Sequence, residues 1–240
     1  MKIALIGYGK MGKEIEQIAV ARGHSIVLKV DISNASSFTT EELQQADVAI
    51  EFSTPEAVIK NIYKCFEANV PVVVGTTGWQ KELADVKQNC IKNNQTLFYS
   101  SNYSIGVNLF LKINESLAKL MNAYPDYSVS IEEIHHIHKL DAPSGTAISL
   151  ANQIIENIDL KNKWVNDVTE NKNELGILSK RIDEVPGTHT VSYSSAVDEI
   201  NITHIAHNRK GFALGAVIAA EWVKNKKGIF GMDDLLNNSH

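Results

Sequence analysis

The chain opens on an apolar run, Lys2 to Ile6, that passes without a spacer into Gly7-Tyr8-Gly9-Lys10-Met11-Gly12. No other feature restricts the fold so tightly. Behind the glycines, Ile15, Ile18 and Ala19 recur at helical spacing through Lys13 to Arg22, and Gly23 stops that helix. Ser25 to Val30 then reads as a second strand closed by Asp31. Strand, glycine turn, helix, strand and acid follow the order of a dinucleotide-binding unit. Gly7 permits the tight turn, Gly9 lets the backbone approach a pyrophosphate, and Gly12 lets helix and strand pack closely. The helix start offers N–H groups and a positive dipole end to phosphates, and Asp31 is placed to accept from the adenosine ribose. The competing reading is a plain βαβ turn with Asp31 as a solvated strand end.

The alternation continues with a strand at Asp47 to Phe52 and a helix start at Ser53-Thr54-Pro55-Glu56, Pro55 lying in its first turn. Val70 to Val74 is a strand ending in Gly75-Thr76-Thr77-Gly78, and Thr96 to Tyr99 is one ending in Ser101-Asn102-Tyr103-Ser104. Alternating strands and helices predict an α/β chain whose N-terminal domain, residues 1–104, is a Rossmann-type, doubly wound parallel sheet. Ligands bind such sheets outside the carboxyl ends of strands, so Phe52, Gly75, Thr76, Thr77, Ser101 and Tyr103 are expected on one rim. Residues 209–240, with an apolar helix at Gly211 to Val223, are expected to complete this domain. Residues 105–208 predict a second, α+β domain for substrate and oligomerisation, with a helix from Asn108 and strands near 128–134, 175–181, 188–195 and 199–206.

A net charge of −5 argues against a nucleic-acid or anionic-membrane partner. No apolar run approaches the roughly 20 residues that span a bilayer. Cys65 and Cys90 lie in helical stretches without CxxC spacing, as free thiols of a cytoplasmic protein do.

The densest chemistry is central. Ser128 to Glu132 alternates like a strand and runs into Glu133-Ile134-His135-His136-Ile137-His138-Lys139-Leu140-Asp141-Ala142-Pro143-Ser144-Gly145-Thr146-Ala147. Ser144 reads as the N-cap of a helix through Ile148, Leu150, Ile154 and Ile155. With Lys139 nearby, that helix start forms a pocket for a carboxylate, and a neighbouring histidine delivers a proton near neutral pH. A zinc site from His136 and His138, on one strand face, with Asp141 as third ligand is the competing reading, disfavoured because Lys139 places a cation inside it. Ser144 as a nucleophile is weaker than Ser144 as a cap.

The central string resembles the E-[AI]-H-H-x-x-K-x-D-A-P-S-G-T-A signature of the dihydrodipicolinate reductase family. The N-terminal GxGxMG, Gly75 to Gly78, and Asn102-Tyr103-Ser104-x-Gly106-Val107-Asn108 resemble that family's motifs in the same order. The resemblance runs from Met1 to about Leu236. It implies NADH or NADPH as cofactor, a cyclic dicarboxylate as substrate, no metal, and a homotetramer. It makes His135 the general acid and Lys139 the cation on one substrate carboxylate. Ser144, Gly145 and Thr146 would hold the other carboxylate, and His136 would line the pocket. To the cofactor residues read from the pattern itself, Gly7, Gly9, Gly12, Asp31, Phe52 and Thr76, the resemblance adds Lys10 and Met11 beside the pyrophosphate and ribose, Gly75, Thr77, Ser101 and Tyr103 near the nicotinamide and, late in the chain, Arg209.

Departures are informative. Asp31 is followed by Ile32-Ser33-Asn34, without the arginine that often holds an NADPH 2′-phosphate, which favours NADH unless Lys10 or Lys29 compensates. Thr54 stands where some members carry an arginine, Tyr103 replaces a phenylalanine, and Val185-Pro186-Gly187-Thr188-His189 replaces a V-G-E-H stretch. Two other readings compete. One is a nicotinamide oxidoreductase of aldehydes or polyols with Lys139 as acid and base, and the other a non-catalytic nucleotide sensor.

Overall fold

The computed structural model describes residues 1–208 and 210–237, so Arg209 lies outside the described residues. The chain divides into two compact units, one of residues 1–105 with 210–237 and one of residues 106–208.

The first unit alternates strictly: β1 (Lys2–Ile6), α1 (Lys10–Ala21), β2 (Ser25–Val30), α2 (Thr40–Leu43), β3 (Val48–Glu51), α3 (Val58–Glu67), β4 (Val72–Val74), α4 (Leu83–Lys92) and β5 (Thr96–Tyr99). Every residue of β3 and β4 is buried, as the unbroken apolar runs of a two-sided parallel sheet require. β2 is an edge strand and alternates instead.

The second unit follows α5 (Ile105–Met121) with β6 (Ser128–His135), α6 (Gly145–Asn157), β7 (Lys163–Val165), β8 (Glu174–Arg181), β9 (Thr188–Ser194) and β10 (Glu199–Ile205). The strand order is β10-β9-β6-β8-β7, with β6 antiparallel to β9 and parallel to β8. Phe110, Ala118, Leu150 and Ile154 of α5 and α6 bury against Val129, Ile131, Ile177 and Val191 on one sheet face. The alternation of β6 sends Glu133 and His135 to that covered face and leaves Ser130 and Glu132 opposite. Ser130, Glu132, Thr190, Ser192, Asn201 and Thr203 line a hollow of about 1190 Å³ on the opposite face.

The chain then returns to the first unit as α7 (Lys210–Val223), β11 (Gly228–Phe230) and α8 (Met232–Asn237). The first sheet is parallel throughout, in the order β2-β1-β3-β4-β5-β11. α3 and α4 cover one face with Ile62, Phe66 and Val86, and α1 and α7 cover the other with Ile15, Ala216, Val217 and Ala220. α7 approaches so closely that a Cβ on Gly215 would stand 1.7 Å from the Tyr103 carbonyl oxygen.

Three expectations are corrected. Pro55 opens a turn rather than a helix, and α3 begins at Val58; ahead of the turn Ser53 donates its N–H to Thr76 and its hydroxyl to Glu51. α1 begins at Lys10, a turn before its apolar pattern. β6 ends at His135, so His136 and His138 follow the strand and share no strand face. α2, β7, β11 and α8, at three to six residues, are too short to establish a period in sequence.

Candidate active site

In the first unit the chain winds away from β1 to β2 on one side and to β3 on the other, and a ligand crevice opens at such a switch point. The glycines there divide by role. Gly7, at φ +96°, would place a Cβ 2.0 Å from the Phe52 carbonyl oxygen, and Gly12 one 2.4 Å from the Gly7 oxygen. Gly9 has nothing within 4 Å of its Cβ position and caps α1 without a side-chain hydrogen bond. Open space over an uncapped first turn that includes Lys10 and Met11 is a cradle that fits a pyrophosphate.

The second strand ends in an ordered acid. Asp31 Oδ1 accepts from the Ser33 hydroxyl (2.6 Å) and N–H (2.8 Å), and these bonds hold its carboxyl below the usual range. Lys29 is paired with Glu16 at 2.6 Å and lies over the Tyr8 ring.

The rim of strand ends is braced from behind. Glu51 is fully buried, and its Oε2 accepts from the Thr76 hydroxyl (2.6 Å), its Oε1 from the Asn61 amide (3.1 Å) and the Ser53 hydroxyl. Thr76 in turn accepts from Ser53 N–H at 2.8 Å. Tyr103 is buried, its hydroxyl donating to the Val74 carbonyl at 2.7 Å. The Phe52 ring packs on Tyr103 and fills the space over Gly75, where a Cβ would stand 2.1 Å from Cζ. Thr76 and Tyr103, expected as cofactor contacts, therefore spend their side chains inside the fold, while Thr77 and Ser101 are exposed and Phe52 and Gly75 half-buried.

The second unit builds its site where β6 ends. Register sets Glu133 opposite His189 on β9 and His135 opposite Arg181 on β8. Glu133 is fully buried, yet four groups meet its carboxylate. Arg181 Nη2 (3.0 Å) and the Ser144 N–H (3.2 Å) reach Oε1, while His135 Nδ1 (2.5 Å) and His189 Nε2 (3.9 Å) face Oε2. Burial alone would push this carboxyl up; contacts with His135, Ser144, Ser179 and Arg181 outweigh it and hold it well below the usual range. The rings of His135 and His189 meet edge to face, with centroids 5.0 Å apart. Burial, reinforced by His135, pushes His189 down to about 4, so it is neutral at physiological pH.

Ser144 caps α6, its hydroxyl oxygen accepting from the Ala147 N–H and standing 3.0 Å from His189 Nε2. A Cβ on Gly145 would meet nothing within 4 Å, so the first turn of α6 is open. Lys139 Nζ reaches both oxygens of Asp141 at 2.8 Å. Arg181 also donates to the Asp141 carbonyl (2.6 Å) and the Lys139 carbonyl (3.3 Å), fixing the loop that carries both.

Sequence reasoning gave Glu133, Arg181, Gly187 and His189 no role. A charged residue on the buried face of an alternating strand was the available signal for Glu133. Asp141, taken up by Lys139, is withdrawn from the zinc reading. Glu133, His135 and His189 converge as metal-ligand types. Two ligands held about 2.1 Å from one tetrahedral zinc stand roughly 3.4 Å apart. The 2.5 Å contact between Glu133 and His135 is direct pairing, and Arg181 holds the other carboxylate oxygen.

Residues 1–103 match the family model described as the dihydrodipicolinate reductase N-terminus, and residues 106–236 match that for its C-terminus. A 4-hydroxy-tetrahydrodipicolinate reductase of Christiangramia forsetii is 50% identical, the match covering 99% of this chain and 98% of the relative. One of Archaeoglobus fulgidus is 35% identical over 98% of this chain and all of the relative. The structure of a dipicolinate-bound dihydrodipicolinate reductase from Paenisporosarcina sp. TG-14 superposes with a TM-score of 0.77 at 26% identity, covering 98% of both chains. The chain belongs to the dihydrodipicolinate reductase family.

Proposed function

We propose that this chain reduces 4-hydroxy-tetrahydrodipicolinate to tetrahydrodipicolinate with a nicotinamide dinucleotide, as a cytoplasmic, homotetrameric enzyme of lysine and diaminopimelate synthesis. The observation that carries the reading is the buried Glu133–His135 pair beside the open helix start of Ser144, with Lys139 and Arg181 nearby. An acid next to an anion pocket suits a dicarboxylate.

In this reading Lys139 holds one carboxylate in competition with exposed Asp141, and Ser144, Gly145 and Thr146 hold the other at the first turn of α6. His136 lines the pocket. The pyrophosphate lies over Gly9, Lys10 and Met11, with Gly7 and Gly12 shaping the turn. Phe52, Gly75, Thr77 and Ser101 border the nicotinamide, and Thr76 and Tyr103 support that border. The 4-hydroxyl leaves as water together with a hydrogen of the neighbouring ring carbon, forming a C=C bond, and the reduced nicotinamide, when bound, would supply a hydride to C4 of that bond. His135 gives a proton to the neighbouring ring carbon, and the chain's other groups provide orientation and charge complementarity.

The preferred cofactor is NADH. Asp31 presents a carboxylate to the ribose hydroxyls, and Lys29, a candidate partner for a 2′-phosphate, is already neutralised by Glu16. The test is a coupled assay in which dihydrodipicolinate synthase makes the unstable substrate in place and nicotinamide absorbance is followed. Substrate-dependent oxidation with larger kcat/KM for NADH is expected. No oxidation of either cofactor would overturn the activity, and a larger value for NADPH the cofactor assignment.

A further inference from the structure

We infer that Glu133 is a positioning residue that fixes the ring tautomer of His135, keeping one proton on Nδ1 and leaving Nε2 as the nitrogen that gives and regains the other. The inference rests on the reading of His135 as the general acid.

The argument begins with the two ends of the imidazole. Nδ1 lies 2.5 Å from Glu133 Oε2, and Glu133 is fully buried with its charge held by Arg181. A buried carboxylate accepts and does not donate, so the ring nitrogen facing it carries hydrogen. The other edge of the ring faces the β8–β9 turn at Gly187, where a Cβ would stand 3.0 Å from Nε2. Glycine there leaves Nε2 room. His189 does not compete for Glu133 as a cation, because burial keeps it neutral. When His135 acts, the Nε2–H bond breaks, a C–H bond forms on the substrate ring, and the histidine is left neutral with Nδ1–H still facing Glu133. Solvent then returns a proton to Nε2.

The carboxylate's other oxygen makes the inference testable. Oε1 receives only donors, the Ser144 N–H and the Arg181 guanidinium. In Glu133→Gln the amide oxygen must stay on that side, and the NH2 turns toward His135 Nδ1. Two donors cannot face each other, so Nδ1 becomes an acceptor and the neutral ring carries its proton on Nε2. The imidazolium, which needs hydrogen on both nitrogens, is disfavoured, and a neutral Nε2–H is far too weak an acid to replace it.

The experiment compares wild type, Glu133→Gln and His135→Gln by kinetics, by binding of dipicolinate, and by ¹⁵N ring shifts of histidine-labelled protein at alkaline pH, His135 being assigned by its loss in His135→Gln. Wild type is expected to show His135 protonated on Nδ1 and bare on Nε2, and Glu133→Gln the reverse. kcat in Glu133→Gln should fall by about 10³-fold or more, since the same acid-to-amide change behind a catalytic histidine lowers kcat on the order of 10⁴-fold elsewhere. KM for the dinucleotide and binding of dipicolinate should stay within about threefold of wild type. A structural defect would move both constants and leave the tautomer alone. Nε2–H on neutral His135 in wild type would overturn the inference without recourse to any variant. So would near-normal kcat in Glu133→Gln while His135→Gln is inactive. Near-normal kcat in His135→Gln would instead remove the general-acid reading on which it stands.

Discussion

Of the three glycines in the first turn, Gly9 alone meets nothing at its Cβ position, and replacing it by alanine separates folding from binding. Its φ of −85° is open to any residue, but its ψ of −150° lies beyond the usual extended range, at a cost to alanine of about 1 kcal/mol. As an N-cap, alanine is worse than glycine by about 0.5–1 kcal/mol, while the stiffer unfolded chain returns about 0.4–1 kcal/mol. The sum is about 1 kcal/mol, so Tm should fall by about 2–4 °C for a chain of this size. The methyl group would stand where a phosphate meets the free N–H groups of α1. Losing one such charge-assisted hydrogen bond, worth about 1.5–3 kcal/mol, weakens the dinucleotide roughly 10- to 100-fold. Thermal unfolding by circular dichroism and a titration of NADH fluorescence read the two effects apart. Gly7→Ala is the control. Its Cβ would strike the Phe52 carbonyl at 2.0 Å and sit at φ +96°, so several kcal/mol of stability should be lost there. Unchanged NADH affinity in Gly9→Ala would refute the anion cradle, and a Tm loss matching that of Gly7→Ala would refute the open space.

His189 predicts an acid limb of stability. Its folded value of about 4 lies below the ordinary 6.5, so between those values the unfolded chain binds a proton that the folded one refuses. Stability should therefore be full above about pH 6.5 and drain by about 3 kcal/mol as pH falls toward 4. In His189→Asn this limb should flatten, and an unchanged slope in urea titrations across that range would count against it. Ser144→Ala removes both the cap of Ala147 N–H and the contact with His189, and should lower Tm by about 2–6 °C. Ser144→Thr, which keeps the oxygen, should recover most of that loss, and an equal loss would show that the cap is not the cause.

Much of the first unit was legible because its determinants are local. A glycine turn, a helical period and two apolar runs lie within the first 31 residues, and the structure joins them as β1, α1 and β2. The central signature was equally legible as a string, and Ser144 caps α6 as its spacing suggests. What the string concealed was partnership. Arg181 and His189 reach Glu133 only because β8 and β9 flank β6 in one register, and strand pairing is non-local information. The buried placement of Thr76 and Tyr103 was hidden for the same reason: their hydroxyls answer Glu51 and Val74, on β3 and β4 of the same sheet.

Because residues 106–208 are inserted into the first unit, the order of synthesis and the order of assembly differ. The ribosome delivers β1 to β5 early, yet α7, which covers Ile3, Leu5, Ile50 and Val73, and β11, which pairs with β5, emerge only after the whole inserted unit. Until then the nascent chain carries one sheet face covered by α1 alone and an unpaired β5 edge, the surfaces on which partly made chains stick to one another. The inserted unit is contiguous and can close as soon as β10 is made, so the N-terminal half is written first and finished last.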